Sequence, residues 1–187
     1  MRPQKVDDKA LLIGLMSVLS SKGYDGSSLN ELAESSGLQK ASLYHRFPAG
    51  KKEITSAVLN YVNEWIHKNI YLLLINQAIS PSERLKEVIK NTNSLYNDGD
   101  SICILRSLSM NTSIEIFGEQ IKETMELWIN GFTVFGIDCG YSEAVAKEKA
   151  YQVLINIQGS LIVSRGLNST DSFKAALKTI QNMYKKE

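Results

Sequence analysis

Gln39, Lys40 and Ser42 fall within four residues, and Tyr44, His45, Arg46 and Lys52 follow closely. Glutamine makes paired hydrogen bonds to adenine, lysine reaches guanine or a phosphate, and serine serves either. A tyrosine hydroxyl and a histidine ring N–H suit phosphate oxygens. Together these side chains offer the chemistry of nucleic-acid recognition. No comparable cluster serves catalysis. The chain lacks a His-x-x-x-His pair, a catalytic carboxylate pair, a Cys–His context and a glycine-rich phosphate loop, so no enzyme, cofactor or metal is expected. Cys103 and Cys139 stand apart without ligand spacing and are expected as thiols outside any disulfide.

To reach a groove, such side chains need a rigid mount. Ser28 and Glu31 form a capping box that opens a helix over Ser28–Ser35, carrying Leu29, Leu32 and Ala33. Ser36-Gly37-Leu38 is a tight turn, and Gln39–His45 reads as a second short helix. Leu32, Ala33, Leu38 and Leu43 supply an inner face that leaves Gln39, Lys40 and Ser42 pointing out at the start of the second helix. Tyr44 either packs on the preceding helix or directs its hydroxyl outward. A first helix with Leu12, Leu15, Met16 and Leu19 at helical spacing ends at Gly23, and Phe47-Pro48-Ala49-Gly50 is a turn.

Residues 1–52 hold eight basic side chains against five acids, a net of +3, which leaves −2 for the rest of a chain whose formal charge is +1. A mildly basic head on a mildly acidic body suits a small DNA-binding unit fused to another domain. The body reads as longer helices. Ile54, Val58, Tyr61, Val62, Trp65, Ile66 and Ile70 form one stripe on a helix over Lys51–Leu74. Leu85, Val88, Ile89 and Leu95 mark a helix that begins at Pro81 after Ser80. Ile121, Met125, Trp128, Phe132 and Phe135 mark another, closed by Gly140. Ala146 to Ile162 and Phe173 to Tyr184 carry the last two stripes, with Gly166 ending the former. No strand or hairpin signal occurs. The expected class is all-α, about nine helices, with a helix-turn-helix domain over 1–50 and a helical ligand-binding and dimerisation domain over 51–187. Without a signal peptide or an apolar run of membrane length, a cytoplasmic location and no membrane partner are expected.

The run SLNELAESSGLQKASLYHRFPAGKKEI, Ser28 to Ile54, resembles the DNA-binding signature of TetR-family regulators. Ser28 takes the Thr position of that signature, Leu32-Ala33 its Ile-Ala, Ser36-Gly37-Leu38 its Ala-Gly-Val, and Ala41-Ser42-Leu43-Tyr44 and Arg46-Phe47 follow in register. The chain departs from it with Ala41 in place of Gly, with Arg46 where Tyr or His is usual, and with a turn one residue longer. The longer Phe-Pro-Ala-Gly-Lys turn resembles the LmrA/YxaF-like subgroup. The resemblance implies a homodimeric repressor that grips a pseudo-palindromic operator in double-stranded DNA through Ser28, Gln39, Lys40, Ser42, Tyr44, His45 and Lys52. It also implies a small-molecule effector.

An apolar or drug-like effector is expected among Trp65, Ile102, Leu105, Arg106, Met110, Trp128, Phe132 and Phe135, with Arg106 or Asn111 as polar anchor, although an aromatic stripe also suits plain core. Arg106, in an apolar helix, needs a partner. His67 reads as a polar face residue or a ligand. The dimer seam is expected at Ala150, Val153, Leu154, Ile157, Leu161, Phe173, Leu177 and Ile180, where Ala146 and Gly159 permit close approach.

Overall fold

The structure, a computed structural model, describes residues 7–110 and 112–185; Asn111 lies outside them. Nine helices occur among these residues: α1 (Asp8–Lys22), α2 (Leu29–Ser35), α3 (Lys40–Arg46), α4, α5 (Pro81–Leu95), α6 (Ile104–Leu108), α7 (Thr112–Asp138), α8 (Glu143–Leu167) and α9 (Asp171–Met183). Here α4 comprises Lys51–Ile66, a π-helical stretch His67–Tyr71 and a last turn Leu72–Leu74. The chain divides into two compact units. The first holds Met1–Asn63 and Ile104–Lys122, the second Glu64–Cys103 and Glu123–Glu187. The division expected at residue 50 therefore does not coincide with the compact units, because α6 and the start of α7 return to the first.

In the first unit, Asp7 caps α1 by accepting the N–H of Ala10 at 3.1 Å. The buried stripe of α1 is Leu11, Leu15 and Leu19; Leu12 and Met16, expected within it, are only half-buried. Gly23, at φ 69°, ends the helix as expected. α1 packs against α2 and α6. The hydroxyl of Ser107 donates to the carbonyl of Ser20 at 2.6 Å, and Tyr24 meets Phe117 edge-on at 5.2 Å. Ser56 donates to Gln120, whose amide donates to Asn60 at 2.8 Å, fastening α7 to α4.

The second unit is built on aromatic packing. Trp128 stacks on Phe132 at 6.2 Å, and Phe135 meets Tyr184 edge-on at 5.1 Å. α8 and α9 pack on each other, and Phe173 of α9 meets Tyr96 at 5.9 Å. Ser80 and Ser142 cap α5 and α8 through the N–H groups of Glu83 and Val145, and Pro81 sits in the first turn of α5, where its missing N–H costs nothing. Among the described residues the buried arginine is Arg84, 3% exposed, rather than the half-buried Arg106. Its Nη1 donates to Asp138 at 2.9 Å and to the carbonyl of Leu74 at 2.6 Å. α8 runs past Gly166 to Leu167 and is capped by Asn168 in the left-handed region. The π stretch in α4 was not signalled by the apolar stripe. There the Asn69 amide donates to the carbonyl of Trp65, and that of Asn91 to the carbonyl of Asn69, as side chains do where a helical turn widens.

Candidate nucleic-acid interface

α2 is short, so its stability rests on its ends and on packing rather than on propensity. The Ser28 hydroxyl accepts the N–H of Glu31 at 3.3 Å and donates to the Glu31 carboxylate at 2.7 Å, while the N–H of Ser28 donates to the same carboxylate at 2.9 Å. Lys22 of α1 pairs with Glu31 from the other side. Hydrogen bonds from Lys22 and then from Ser28 hold the Glu31 carboxyl down to about 2, against an ordinary 4.5. Ser28, expected at the DNA, thus has its hydroxyl taken up by the cap in both its donor and its acceptor role.

The turn to α3 closes through Gly37 at φ 70°. Its N–H donates to Glu34 and that of Leu38 to Ala33, each at 3.1 Å. Leu32, Ala33 and Leu43 are buried and Leu38 is half-buried, which is the inner face the spacing requires. One feature escaped the sequence reading: Gly14 of α1 lies so close to the end of α2 that an added Cβ would sit 2.1 Å from the Ser35 carbonyl oxygen. The Ser35 hydroxyl donates to the Gly14 carbonyl at 3.0 Å. A lone glycine in a helical stripe gives no hint of which neighbour it admits.

α3 begins one residue later than expected, with Gln39 as its N-cap and no hydrogen bond from the Gln39 side chain to the helix. Gln39, Lys40, Ser42, Tyr44, His45 and Lys52 are all exposed. Tyr44 lies beside the Gly50 turn and keeps 42% of its surface in solvent. The other basic groups are engaged. Lys51 donates to the carbonyl of Ser27 at 3.1 Å and sits 4.5 Å over the Tyr24 ring, which fixes the loop ahead of α2. Arg46 pairs with Asp8 of α1. Glu53 accepts the N–H of Ala49 at 2.8 Å and so closes the turn into α4.

The residues expected to line an effector cavity are divided between the two units. Leu105, Arg106 and Met110 belong to the first unit, and Met110 is exposed. Trp65, Ile102, Trp128, Phe132 and Phe135 belong to the second; Trp65 and Ile102 are half-buried, while the other three are buried core. A cleft of about 650 Å³ in the second unit lies between the start of α5 and the ends of α7 and α9. Leu85, Phe135 and Tyr184 supply its apolar wall, Ser82, Gln181 and Lys86 its polar one. Of the expected lining it includes Phe135. Burial, with Cys139 and Tyr141 nearby, pushes the Tyr184 hydroxyl well above its ordinary pKa, so the phenol is neutral. His67 is exposed and stacks on Tyr71 at 5.4 Å.

The expected seam residues also need correcting. Ala150, Val153, Ile157, Leu161, Phe173, Leu177 and Ile180 are buried within the single chain and Leu154 is half-buried, because α8 and α9 turn these faces into their own unit. The apolar side chains left in solvent on α8 include Tyr151, Ile155, Ile162, Val163 and Leu167. Apolar periodicity located both helices but could not separate two apolar faces of α8. No helix among the described residues is long and apolar enough to cross a membrane.

Residues 11–58, which include α2 and α3, match the family described as bacterial regulatory proteins, tetR family. The chain is 27% identical over 147 residues to the HTH-type transcriptional regulator LmrA of Bacillus subtilis, covering 76% of this chain and 78% of that one. To the HTH-type regulator YxaF of the same organism it is 24% identical, covering 76% of each. A TetR transcriptional regulator from Legionella pneumophila shares the fold, with a TM-score of 0.80 at 20% identity over 99% of this chain and all of that one. The TetR family regulator CifR, solved as a cysteine mutant complexed with double-strand operator DNA, superposes with a TM-score of 0.74 at 18% identity over 97% and 98% of the two chains.

Proposed function

Because the chain belongs to the tetR family of bacterial regulatory proteins, as an LmrA/YxaF-like transcriptional regulator, we propose that it represses transcription from a pseudo-palindromic operator and is released by a small apolar or drug-like effector. The observation that carries this reading is α3. A capping box fixes the helix before it, and Gln39, Lys40 and Ser42 stand exposed at its start without a structural task. Gln39 reads a base edge, while Lys40, Tyr44, His45 and Lys52 take phosphates. Two chains place their α3 helices one DNA turn apart, and the seam that joins them is the outer face of α8. There Tyr151, Ile155, Gly159, Ile162 and Gly166 follow one another every three or four residues, and an added Cβ at either glycine meets nothing within 4 Å.

The effector takes the cleft beside Leu85, Phe135 and Tyr184, whose volume suits a small drug-like molecule. α4, which passes from the first unit into the second at Asn63, is the element through which occupancy alters operator affinity. Binding of the full chain to duplex DNA across a salt series tests the core of the reading. Lys40→Ala should weaken binding to every sequence and flatten the log–log salt slope by about 0.9. Gln39→Ala should instead relax preference at one base pair, costing about 1–3 kcal/mol there. Salt-independent binding, or none, would overturn the reading. An effector that weakens operator binding must itself bind less tightly by the same factor when operator is present.

A further inference from the structure

We propose that Asp8 competes with DNA phosphate for Arg46, so that this ion pair within the first unit sets how tightly the chain holds DNA. The inference rests on the DNA-binding reading above. Arg46 is the last residue of α3, beside the exposed Tyr44 and His45, and its Nη2 donates to the Asp8 carboxylate in the first turn of α1. Neither side chain is needed to finish its own helix. Asp7 provides the cap of α1, and the last turn of α3 is closed by the N–H of Phe47 donating to Leu43 at 2.9 Å. The pair therefore supplies the cap hydrogen bond of neither helix, and each side chain only adds its charge to the favourable end of its helix dipole.

Both partners remain in solvent, Arg46 with 37% of its side chain exposed and Asp8 with 80%. Exposed pairs of this kind are weak and exchange readily. A phosphate offers a guanidinium the same two-oxygen geometry as a carboxylate and adds the release of condensed counterions. Near α3, Lys40 and Lys52 have no acidic partner among the described residues, whereas Arg46 has one that it must leave. The Lys22–Glu31 pair differs, since Glu31 is also part of the α2 cap. Asp8 is thus a built-in rival for one phosphate contact, and it acts on all DNA sequences alike.

A double-mutant cycle on the full chain, read by fluorescence anisotropy with a short duplex of mixed sequence, separates this from general charge effects. Asp8→Asn should tighten binding about 2- to 5-fold at low salt. Arg46→Ala should weaken it and flatten the salt slope by about 0.9. In the Arg46→Ala background, Asp8→Asn should change little, and Asp8→Glu should behave as wild type. An equal gain from Asp8→Asn in both backgrounds would assign the effect to bulk repulsion and overturn the proposal, as would unchanged or weaker binding by Asp8→Asn alone. Wild-type binding with an inert Asp8→Asn removes only this proposal; a wild-type chain that binds no duplex removes the DNA reading beneath it.

Discussion

In the first unit Gly14 lies against the backbone carbonyl of Ser35, and α2 is held at its start by a serine and a carboxylate of its own cap and by a lysine from α1. In the second unit the close approaches are to side chains: Gly136 faces Ala146, and Gly99 lies against the ring of Phe173. Short helices have little apolar surface to bury, so their register depends on specific polar bonds. Long helices bury whole aromatic rings, and there volume decides. The first kind of order should be sensitive to single polar or glycine changes, the second to loss of bulk.

The largest effect should come from volume. Phe132→Ala removes a ring stacked between Trp128 and Tyr184 and edge-on to Phe135, and should cost about 3–5 kcal/mol in a denaturant titration followed by tryptophan fluorescence. Both tryptophans, Trp65 and Trp128, lie in the second unit, so their emission reports on that unit. A cost below about 1 kcal/mol, the size of a surface change, would break the contrast between the units.

Next comes a pair of identical substitutions with opposite signs. Gly14→Ala forces a Cβ against a backbone oxygen and should destabilise the first unit by about 1–3 kcal/mol and weaken DNA binding. Gly118→Ala meets only the tip of the Ile114 side chain, at 3.8 Å, and should stabilise α7 by about 0.5–1 kcal/mol. Thermal melts of the two variants compare them directly. If both raise the melting temperature, Gly14 is not the tight crossing that the geometry makes it.

These differences also explain what could be read from the residues. The capping box at Ser28 and Glu31, the Gly37 turn and the exposed start of α3 are local, so spacing over a few residues revealed them. The start of α5 at Ser80 and Pro81 was legible for the same reason. Arg46 and Asp8 are 38 positions apart, and Arg84 and Asp138 are 54 apart, so no local pattern joins them. The effector lining and the seam turn on a related point. Trp128, Phe132, Val153 and Ile157 are apolar at helical spacing, which says that a face is buried but not against what. Core, cavity and partner all ask for the same side chains. The α8 face was misassigned because Ile155 and Ile162 are as apolar as Val153 and Ile157, and only the packing of α9 decides which pair is covered.

The smallest effect is a titration in which the two units respond at opposite ends of the pH scale. Glu31 in the first unit has its carboxyl lowered to about 2 from an ordinary 4.5, mainly by Lys22 and then Ser28. A lowered folded pKa means that the contribution of Glu31 is fully present above about 4.5 and lost as pH falls toward 2. In the second unit, Tyr184 and Tyr96 are raised above an ordinary 10, chiefly by burial, and Tyr96 also by its neighbour Cys103. A raised folded pKa means that their contribution is intact below about 10 and declines as pH climbs beyond it, because the unfolded chain ionises first. Hydrogen exchange of the α2 amides should therefore quicken between pH 4.5 and 2 relative to other amides. Tryptophan emission should shift only as pH rises past 10. Glu31→Gln should remove the acidic step and leave the alkaline one unchanged. If the α2 amides of Glu31→Gln keep the same acidic step, the cap is not what holds that helix, and the contrast between polar and aromatic order fails at its most local point.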